Sequence, residues 1–304
     1  MLKNLLDKYL VYLCDVRGLS PHTIASYRRD LVRWVTFLDE QHQQLTGSPR
    51  NDPLFLRLFL RERTESGLSN RSLARFLSAL SGFQKYLMDQ HKATEHIFKL
   101  PAIKFGQRLP EFLTQADSKR IFDHEGSHQK KDTYRYWRDY TLSVLIYVTG
   151  IRRAEVAGLD LTDLDLRSGM IRVLGKGNKE RIVPFGDNTR KDIDLYLEQR
   201  SDFGSLHNSE SPALFLNRDG RRLSVRSIDR VVGQFARKVG VKCTPHTLRH
   251  SFATHLLENG ADLLLIKEIL GHASLSTTQN YTHVTAEKMK KTYANAHPRS
   301  GRRN

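Results

Sequence analysis

The chain contains little of what marks several common classes of protein. Of its 304 residues only two are cysteines, Cys14 and Cys243, which lie too far apart in sequence to suggest a disulfide framework or a metal-spaced cluster. We therefore expect two reduced thiols. No apolar run reaches about 18 residues, so no transmembrane helix is predicted. The first residues mix charged and apolar positions and lack a small-residue cleavage site, which indicates an amphipathic helix instead of a signal peptide.

Acidic residues are also few relative to basic ones. The chain has 33 Asp and Glu against 49 Lys and Arg, a formal net charge of +16, and both halves share the excess. This balance favours a polyanionic partner. Nucleic acid fits best, because no compact polybasic tract lies beside an apolar anchor for an anionic membrane. On charge alone, a basic protein without such a partner is the alternative. We expect no membrane association and a cytoplasmic location.

The first hundred residues are predicted to be helical almost throughout. Ser20 and Pro21 match an N-cap followed by proline at the first helical position, and a second start signal stands at Ser69. Apolar residues recur at spacings of three and four after both signals. The arginines beside these apolar faces are candidates for phosphate contacts with duplex DNA, with a solvated charged face as the alternative. They are Arg28, Arg29, Arg33, Arg71 and Arg75.

A change of composition predicts the domain boundary. Residues 99–110 hold two prolines, a glycine and three basic residues, which indicates an exposed linker. We therefore predict a helical domain over 1–100, a basic linker over 101–110 and a second domain over 111–304.

The second domain is predicted to be mostly helical, with one small β region. Two runs rich in β-branched residues flank residues 175–179 and indicate a hairpin. A polar surface loop is expected over 123–135, followed by an apolar helix from Tyr136 to Val148 that Gly150 interrupts. The final helical pattern runs from Thr285 to Ala296.

One predicted helix start presents two cationic side chains together. A threonine and a proline form the cap and first turn, which puts His246 and Arg249 three residues apart on one face near the helix N-terminus. A phosphate bound there would also gain from the helix dipole. A zinc site is disfavoured, because His246 and His250 have the spacing of HExxH but Thr247 replaces the glutamate. A structural histidine is the alternative.

Arg152 and Lys176 supply further positive charge. Arg152 begins a helix after Gly150, and Glu155 follows three residues later as a candidate ion-pair partner, which by itself could serve only local stability. Lys176 lies in the predicted hairpin turn. The surrounding glycines do not match GxxxxGK[ST], so nucleotide binding is rejected.

His272 and Tyr281 complete a set of polar residues in the second half. His272 follows Gly271, a helix stop signal, and Tyr281 lies nine residues further on. Taken alone, Tyr281 is more simply a half-buried aromatic residue. Converging cationic donors and one phenol, however, suit attack on a phosphodiester, because the transition state of phosphoryl transfer is anionic.

These residues stand in four motifs that closely resemble the tyrosine recombinase (phage integrase) family, and within it the Xer-type site-specific recombinases. The motifs are TGIRRAE at 149–155, GKGNKERIVP at 175–184, PHTLRHSFATHLLENG at 245–260 and LGHASLSTTQNYTHV at 270–284. LPEFLT at 109–114 and GLSPHTIASYRRDLVRW at 18–34 extend the resemblance to nearly the whole chain.

The resemblance implies a role for each residue of the set. Tyr281 is expected to be the nucleophile that forms a 3′-phosphotyrosyl bond with DNA, so that no ATP is needed. Arg152 and Arg249 are expected to stabilise the non-bridging oxygens with their planar guanidinium groups. Lys176 is the expected general acid for the departing 5′ oxygen.

The remaining implied roles are supporting ones. His246 is expected to act as acid or base for the tyrosine proton, His272 to donate a hydrogen bond to the phosphate, and Glu155 to orient its own helix. Neither a cofactor nor a metal is expected, since the protein's own cations supply the charge.

The implied fold class is mainly α. It combines an N-terminal helical bundle, the SAM-like core-binding domain, with an α+β catalytic domain that carries a small antiparallel sheet. The expected partner is a double-stranded recombination site, held in a homo-tetramer or in a hetero-tetramer with a sister recombinase on two DNA sites. A DNA translocase is a further possible partner. Residues from Thr285 to Ala296 are expected to dock into a neighbouring protomer.

The implied activity is site-specific DNA cutting and rejoining, in chromosome dimer resolution and segregation. A mobile-element or phage integrase is the alternative, disfavoured by the compact length and by the lack of an extra arm-binding domain. A protein that relaxes DNA like a type IB topoisomerase would share the phosphotyrosine chemistry, but the helical first domain and the family motifs favour recombination. A non-catalytic DNA-binding protein on the same scaffold would have lost part of the six-residue set, and all six residues are present.

Overall fold

The computed structural model of this protein divides into two compact units, Met1–Arg108 and Leu109–Asn304. The predicted linker over 101–110 lies outside the described residues. Among the residues that the structure describes, no helix is long and apolar enough to cross a membrane. The described residues are 2–44, 52–91, 100, 112–122, 133–175, 178–207, 209–271 and 283–300.

The described parts of the first unit are helices and the short turns that join them. Its helices are α1 (Leu2–Asp15), α2 (Pro21–Gln44), α3 (Pro53–Glu65) and α4 (Asn70–Tyr86), and a short π-helical turn (Leu87–His91) follows α4. Aromatic rings from three helices fill the centre: Trp34 packs edge-on against Phe59 and Phe76, with ring centroids 5.2 and 6.1 Å away. This cluster gives the unit a hydrophobic core of its own.

The start signals in the sequence are confirmed at α2 and α4. The hydroxyl of Ser20 accepts a hydrogen bond from the Thr23 N–H at 3.2 Å, and Ser69 accepts one from the Ser72 N–H at 3.3 Å. The predicted apolar face of α2 is buried at its centre, where Leu31 and Trp34 are almost fully enclosed. Helix α3 lies in the stretch predicted to be helical, but its start signal was not identified: Asp52 caps it through the Leu54 N–H.

The candidate DNA-contacting arginines of this unit fall into two groups. Arg28, Arg29, Arg33 and Arg71 are exposed. Arg75 instead donates two hydrogen bonds to Asp30, at 2.8 and 3.1 Å, and so ties α4 to α2. Because the Asp30 side chain is only 8% exposed, this pair has a packing role that the charge pattern did not indicate.

The described part of the second unit combines helices with a small three-stranded antiparallel sheet. Strands β1 (Leu164–Asp165), β2 (Met170–Leu174) and β3 (Glu180–Pro184) pair in that order. The predicted hairpin of β2 and β3 is confirmed, with Arg172 opposite Ile182 in its register. Strand β1 was not predicted, because two residues carry no detectable alternation. The helices are α5 (Gln115–Phe122), α6 (Tyr134–Thr149), α7 (Arg153–Gly158), α8 (Asp187–Leu206), α9 (Val225–Arg237), α10 (Pro245–Glu258), α11 (Leu263–Leu270) and α12 (His283–Ala296).

Helix α6 is the centre of this unit. Every residue from Arg138 to Thr149 is buried, as expected for a helix that is covered on all sides by α8, α9 and α10. The helix starts at Tyr134, two residues before the predicted start, because Thr133 caps it through the Tyr136 N–H. Its predicted end at Gly150 is confirmed.

The C-terminal segment packs on its own chain. Met289, Tyr293, Ala296 and His297 are buried in the core of the second unit. Arg299 then donates to the carboxylate of Asp192 at 3.0 Å. Docking of this segment into a neighbouring protomer, as the sequence led us to expect, would have to break these contacts first.

His297 makes the stability of the second unit depend on pH. Burial among aromatic rings, with Tyr293 stacked 4.9 Å away, lowers the pKa of His297 to about 3. The unfolded chain takes up this proton below about pH 6.5, whereas the folded chain keeps the ring neutral. The free energy of unfolding should therefore fall as the pH drops from about 6.5 towards 3, by up to ~1.4 kcal/mol per pH unit from this group.

The test compares urea unfolding of the parent with that of His297→Phe between pH 7 and pH 5. Trp34→Phe in both proteins leaves Trp137 as the reporter of the second unit. The His297→Phe variant should show the shallower pH dependence, and the exposed His207→Gln should behave as the parent does. Equal slopes for the parent and His297→Phe would contradict this assignment.

Candidate active site

Two adjoining helix ends create the first part of the site. Gly150 ends α6 in the left-handed region, at φ 62°, and a Cβ at this position would lie 2.7 Å from the Leu270 side chain. Only glycine fits this close approach. The chain then turns through Arg152 into α7, where Glu155 closes the first turn by accepting the Arg152 N–H at 2.6 Å.

Glu155 is the central acceptor of the site. Its carboxylate also accepts from the Arg152 guanidinium at 2.9 Å, and from two nitrogens of Arg181 at 3.0 and 2.7 Å. Burial alone would raise the pKa of Glu155, but the hydrogen bonds and charge of Arg181, with those of Arg152, outweigh burial and hold this pKa below its ordinary value. Glu155 therefore stays ionised. It orients the guanidinium groups of Arg152 and Arg181 as well as its own helix.

Arg181 is a residue of the site that the sequence reading did not assign. It lies on β3, with only 6% of its side chain exposed. Its signal was present in the strand pattern: Glu180 and Ile182 face outwards, so Arg181 shares the inward face with the apolar Val183. A charged residue at an inward position of a strand indicates a buried partner.

Helix α10 brings in Arg249 as predicted. Thr244 caps the helix through the Thr247 N–H at 3.1 Å, and Pro245 occupies its first turn. His246 on this first turn is exposed, while Arg249, one turn later, is half-buried and donates to the carbonyls of Gly150 and Leu270. Burial, followed by the charge of Arg152, lowers the pKa of Arg249 to about 10. The group remains cationic at neutral pH.

Three arginines converge on the C-terminus of α11. Arg181 donates to the carbonyl of Ile269 at 2.9 Å, Arg249 to that of Leu270 at 2.8 Å, and Arg152 to that of Gly271 at 3.4 Å. These successive carbonyls carry the negative end of the helix dipole. Gly271 ends the helix at φ 66°, as predicted.

This arrangement leaves a net positive charge at the surface. Three guanidinium groups face a single carboxylate, that of Glu155. Arg152 is the most accessible of them, with 41% of its side chain exposed and a long bond to Gly271 that a stronger acceptor could replace. A bound phosphate is such an acceptor, since charge-assisted bonds to arginine are shorter and stronger than bonds to a carbonyl.

The buried face of α10 holds the start of the second unit. Leu113 donates its N–H to Ser251 at 2.7 Å, and its carbonyl accepts from Nε2 of His255 at 2.9 Å. Nδ1 of His255 lies 3.0 Å from the Tyr147 hydroxyl, within hydrogen-bond distance. These contacts anchor Leu113, from the LPEFLT motif, to the helix that carries Arg249.

The structure thus assembles part of the predicted set. Arg152, Glu155 and Arg249 lie together, and His246 lies on the first turn of the same helix as Arg249. Lys176, His272 and Tyr281 lie outside the described residues, and their placement stays a prediction. The described neighbours Gly175 and Gly271, which precede Lys176 and His272, both border Arg181.

This chain matches two domain families and is similar to named recombinases. Residues 111–288 match the description "Phage integrase family" and residues 6–91 match "Phage integrase, N-terminal SAM-like domain". Tyrosine recombinase XerD of Staphylococcus epidermidis is 37% identical over 303 residues, which cover 98% of this chain and 100% of that protein. Tyrosine recombinase XerC of Pseudomonas syringae pv. syringae is 38% identical over 303 residues, covering 98% and 97%.

A solved recombinase structure is similar to this chain over most of the length of both proteins. The XerH site-specific recombinase, bound to its difH substrate in a pre-cleavage complex, has a TM-score of 0.66 at 26% identity. The similarity covers 92% of this chain and 82% of that one.

Replacing Glu155 should destabilise the second unit strongly. Glu155→Ala leaves the guanidinium of Arg181 buried without its carboxylate, which costs about 3–5 kcal/mol for a buried pair. Asp163→Ala is the control at a partly exposed pair beside the same sheet. Asp163 binds the half-exposed Arg172 at 3.0 Å and accepts the Asp160 N–H at 2.9 Å, so its loss should cost about 1–2 kcal/mol. Urea unfolding followed by Trp137 fluorescence measures both, and equal losses would show that the Glu155 pair is no stronger than a surface pair.

Proposed function

Since the chain belongs to the phage integrase family and is a Xer-type tyrosine recombinase, we propose that Arg152 and Arg249, in the arginine cluster around Glu155, bind the phosphate at which this protein cuts DNA. The protein is then a site-specific recombinase that breaks and rejoins DNA strands. The observation that carries the proposal is the convergence of Arg152, Arg181 and Arg249 on one helix end, with one carboxylate among them. A backbone phosphate is the anion that fits an exposed site of this charge in a DNA enzyme.

The proposed reaction is a phosphoryl transfer in two steps. The phenolic oxygen of Tyr281 attacks phosphorus and the bond to the 5′ oxygen breaks, which leaves the DNA 3′ phosphate on the tyrosine. Lys176 gives the departing 5′ oxygen its proton. In the second step the 5′ hydroxyl of a partner strand attacks the phosphotyrosine, and the tyrosine leaves. One phosphodiester replaces another, so the reaction needs no external energy source.

The other residues of the set support this transfer. Arg152 and Arg249 stabilise the charge that grows on the non-bridging oxygens, where preorganised donors have their largest effect. We assign His246 to the proton of Tyr281 and His272 to a hydrogen bond with the phosphate. Glu155 keeps the guanidinium of Arg152 in its orientation, as its two contacts with that residue support.

The proposed partner is duplex DNA. XerH, which resembles this chain over most of its length, is described as bound to its difH substrate. The chain carries a formal net charge of +16, and Arg28, Arg29, Arg33 and Arg71 are exposed on helices of the first unit. We propose these four for phosphate contacts, whereas Arg75 is engaged with Asp30.

The assembly follows from the number of strands to be cut. Two duplex sites have four strands, and one protomer supplies one tyrosine, so exchange of all strands takes four protomers. If the two halves of the DNA site have the same sequence, four copies of one chain can bind them. If the halves differ, two copies can pair with two copies of a sister recombinase. A DNA translocase is a further candidate partner. We propose a cytoplasmic location, because the relatives named above come from bacteria and the proposed substrate is DNA.

The biological role we propose is resolution of chromosome dimers before cell division. Relatives named XerC and XerD match this chain over 97% to 100% of their own length, which supports a Xer-type role above that of a mobile-element or phage integrase. A type IB topoisomerase-like relaxer would rejoin the same strand. Two plasmids that carry the site distinguish the two reactions, since only recombination joins them.

Tyr281→Phe should abolish covalent capture of DNA. Phenylalanine lacks the nucleophilic oxygen, whereas the ring and the binding surface are retained. A nicked suicide substrate traps the covalent intermediate, which the parent should form as an SDS-resistant protein–DNA adduct. The control is Tyr293→Phe on α12, which should still form the adduct. An adduct with Tyr281→Phe would remove Tyr281 as the nucleophile.

Arg152→Lys should slow cleavage far more than it weakens binding. Lysine keeps the charge but loses the planar fork that meets two oxygens at once. We expect cleavage of the suicide substrate to slow by about 10²-fold or more, and DNA affinity at fixed salt to change by less than about threefold. The neighbouring Arg153→Lys is the control, because Arg153 pairs with Asp229 away from Glu155. Equal cleavage by both variants would take Arg152 out of the site.

A further inference from the structure

Arg181, on β3, contacts both α7 and the C-terminus of α11 in the candidate active site. Its Nη1 and Nη2 bind both oxygens of Glu155, at 3.0 and 2.7 Å, and its Nε binds the carbonyl of Ile269 at 2.9 Å. The guanidinium thus joins α7, which follows Arg152, to the C-terminus of α11, which leads to His272. These three contacts link residues that lie 26 and 88 positions apart in the chain.

Two glycines bring further parts of the site against the same side chain. A Cβ built on Gly271 would lie 3.3 Å from Nε of Arg181, and one built on Gly175 would lie 3.5 Å from Nη1. Gly175 immediately precedes Lys176, and Gly271 immediately precedes His272. The backbone therefore passes close to the guanidinium of Arg181 just before each of two residues proposed for catalysis.

Arg181 is not placed to touch the DNA itself. Its side chain is only 6% exposed, and each of its three nitrogens already donates to Glu155 or Ile269. A phosphate would have to displace a buried carboxylate to reach it. The contacts of Arg181 lead instead to Arg152, since the Glu155 oxygen that accepts from Nη1 of Arg181 also accepts from Nη1 of Arg152.

We infer that Arg181 is a positioning residue for DNA cleavage: through Glu155 it sets the guanidinium of Arg152, and through Ile269 and the two glycines it sets the backbone that leads into Lys176 and His272. The inference rests on the proposed function of the site. It assigns Arg181 no contact with the reacting atoms. It predicts that cleavage is sensitive to the shape of the side chain at position 181 even when the charge is kept.

The test uses the full chain with Arg181→Lys, which keeps the positive charge but cannot bind both Glu155 oxygens and the Ile269 carbonyl together. The substrate is a nicked duplex that carries the chain's own site, located beforehand by sequencing the DNA that stays covalently attached to the protein. Single-turnover adduct formation at saturating protein gives the cleavage rate of the bound enzyme. DNA affinity and the melting temperature are measured separately.

We expect Arg181→Lys to cleave about 10²-fold more slowly, the cost of misplacing a catalytic group by about 1 Å. DNA affinity should stay within about threefold of the parent. A purely structural role would lower the melting temperature and leave the rate of the folded, DNA-bound protein unchanged. Arg172→Lys is the matched control, because Arg172 is an ion-paired arginine of the adjacent strand that binds Asp163 and is half-exposed.

A double-mutant cycle tests the route through Arg152. If Arg181 acts on Arg152 through Glu155, the cleavage defects of Arg181→Lys and Arg152→Lys should not multiply, and the double variant should cleave about as slowly as the worse single variant. Multiplying defects would overturn this route. A parent-like cleavage rate for folded Arg181→Lys would overturn the inference as a whole.

Two further experiments distinguish a failure of the inference from a failure to fold and from a failure of the proposed function. If Arg181→Lys does not fold, Glu155→Gln combined with Arg181→Met removes both buried charges and leaves neither one unpaired. That double variant should fold and cleave slowly, and parent-like cleavage would refute the inference. If the parent itself forms no adduct while it binds the site, the proposed function fails, whichever residue occupies position 181.

Discussion

The buried contact between Glu155 and Arg181 holds the second unit in the arrangement that its chemistry needs. A carboxylate and a guanidinium, each 6% exposed, lie where α7, β3 and the end of α11 come together. Removing two charges from water is costly, and only a well-formed geometry with further hydrogen bonds offsets the cost. Arg152 and the Ile269 carbonyl supply those bonds. The ion pair therefore makes one arrangement of these three elements strongly preferred.

The same geometry explains how an arginine cluster can exist before its ligand binds. Guanidinium groups that lie close together repel one another, and the lowered pKa of Arg249 reflects burial together with the charge of Arg152. The carbonyls at the end of α11 offset part of this repulsion, because they carry the negative end of the helix dipole. The contact of Arg152 with Gly271 is the longest of the three, at 3.4 Å. In the proposed function a phosphate replaces that carbonyl, and the buried ion pair stays in place.

The buried C-terminal segment adds a constraint on assembly. Tyr293 and His297 are enclosed by the core of the second unit, and Arg299 is bound to Asp192. A tail that links one protomer to the next would have to leave this position. Any tetramer that uses the segment as a link must therefore compensate for the lost packing with new contacts.

The sequence by itself determined much of this protein. Local signals placed the caps at Ser20, Ser69 and Thr244, the glycine stops at Gly150 and Gly271, and the hairpin of β2 and β3. The motif pattern also identified the family and pointed to Arg152, Glu155 and Arg249. Such features are readable because each depends on residues within a turn or two of one another. The short strand β1 was missed because two residues carry no alternation. The start of helix α3 was not recognised, although Asp52 and Pro53 form a local start signal of the same kind as Ser20 and Pro21.

Only the tertiary structure decided which polar groups are buried together. Arg181 stands in a quoted motif, yet its partners lie 26 and 88 residues away, at Glu155 and Ile269. Arg75 resembled a DNA contact until Asp30, 45 residues away, was found to bind it. The packing of Tyr293 and His297 on their own core is equally non-local. Residue spacing reports only neighbours along one element, whereas burial and long-range pairing depend on how the elements pack.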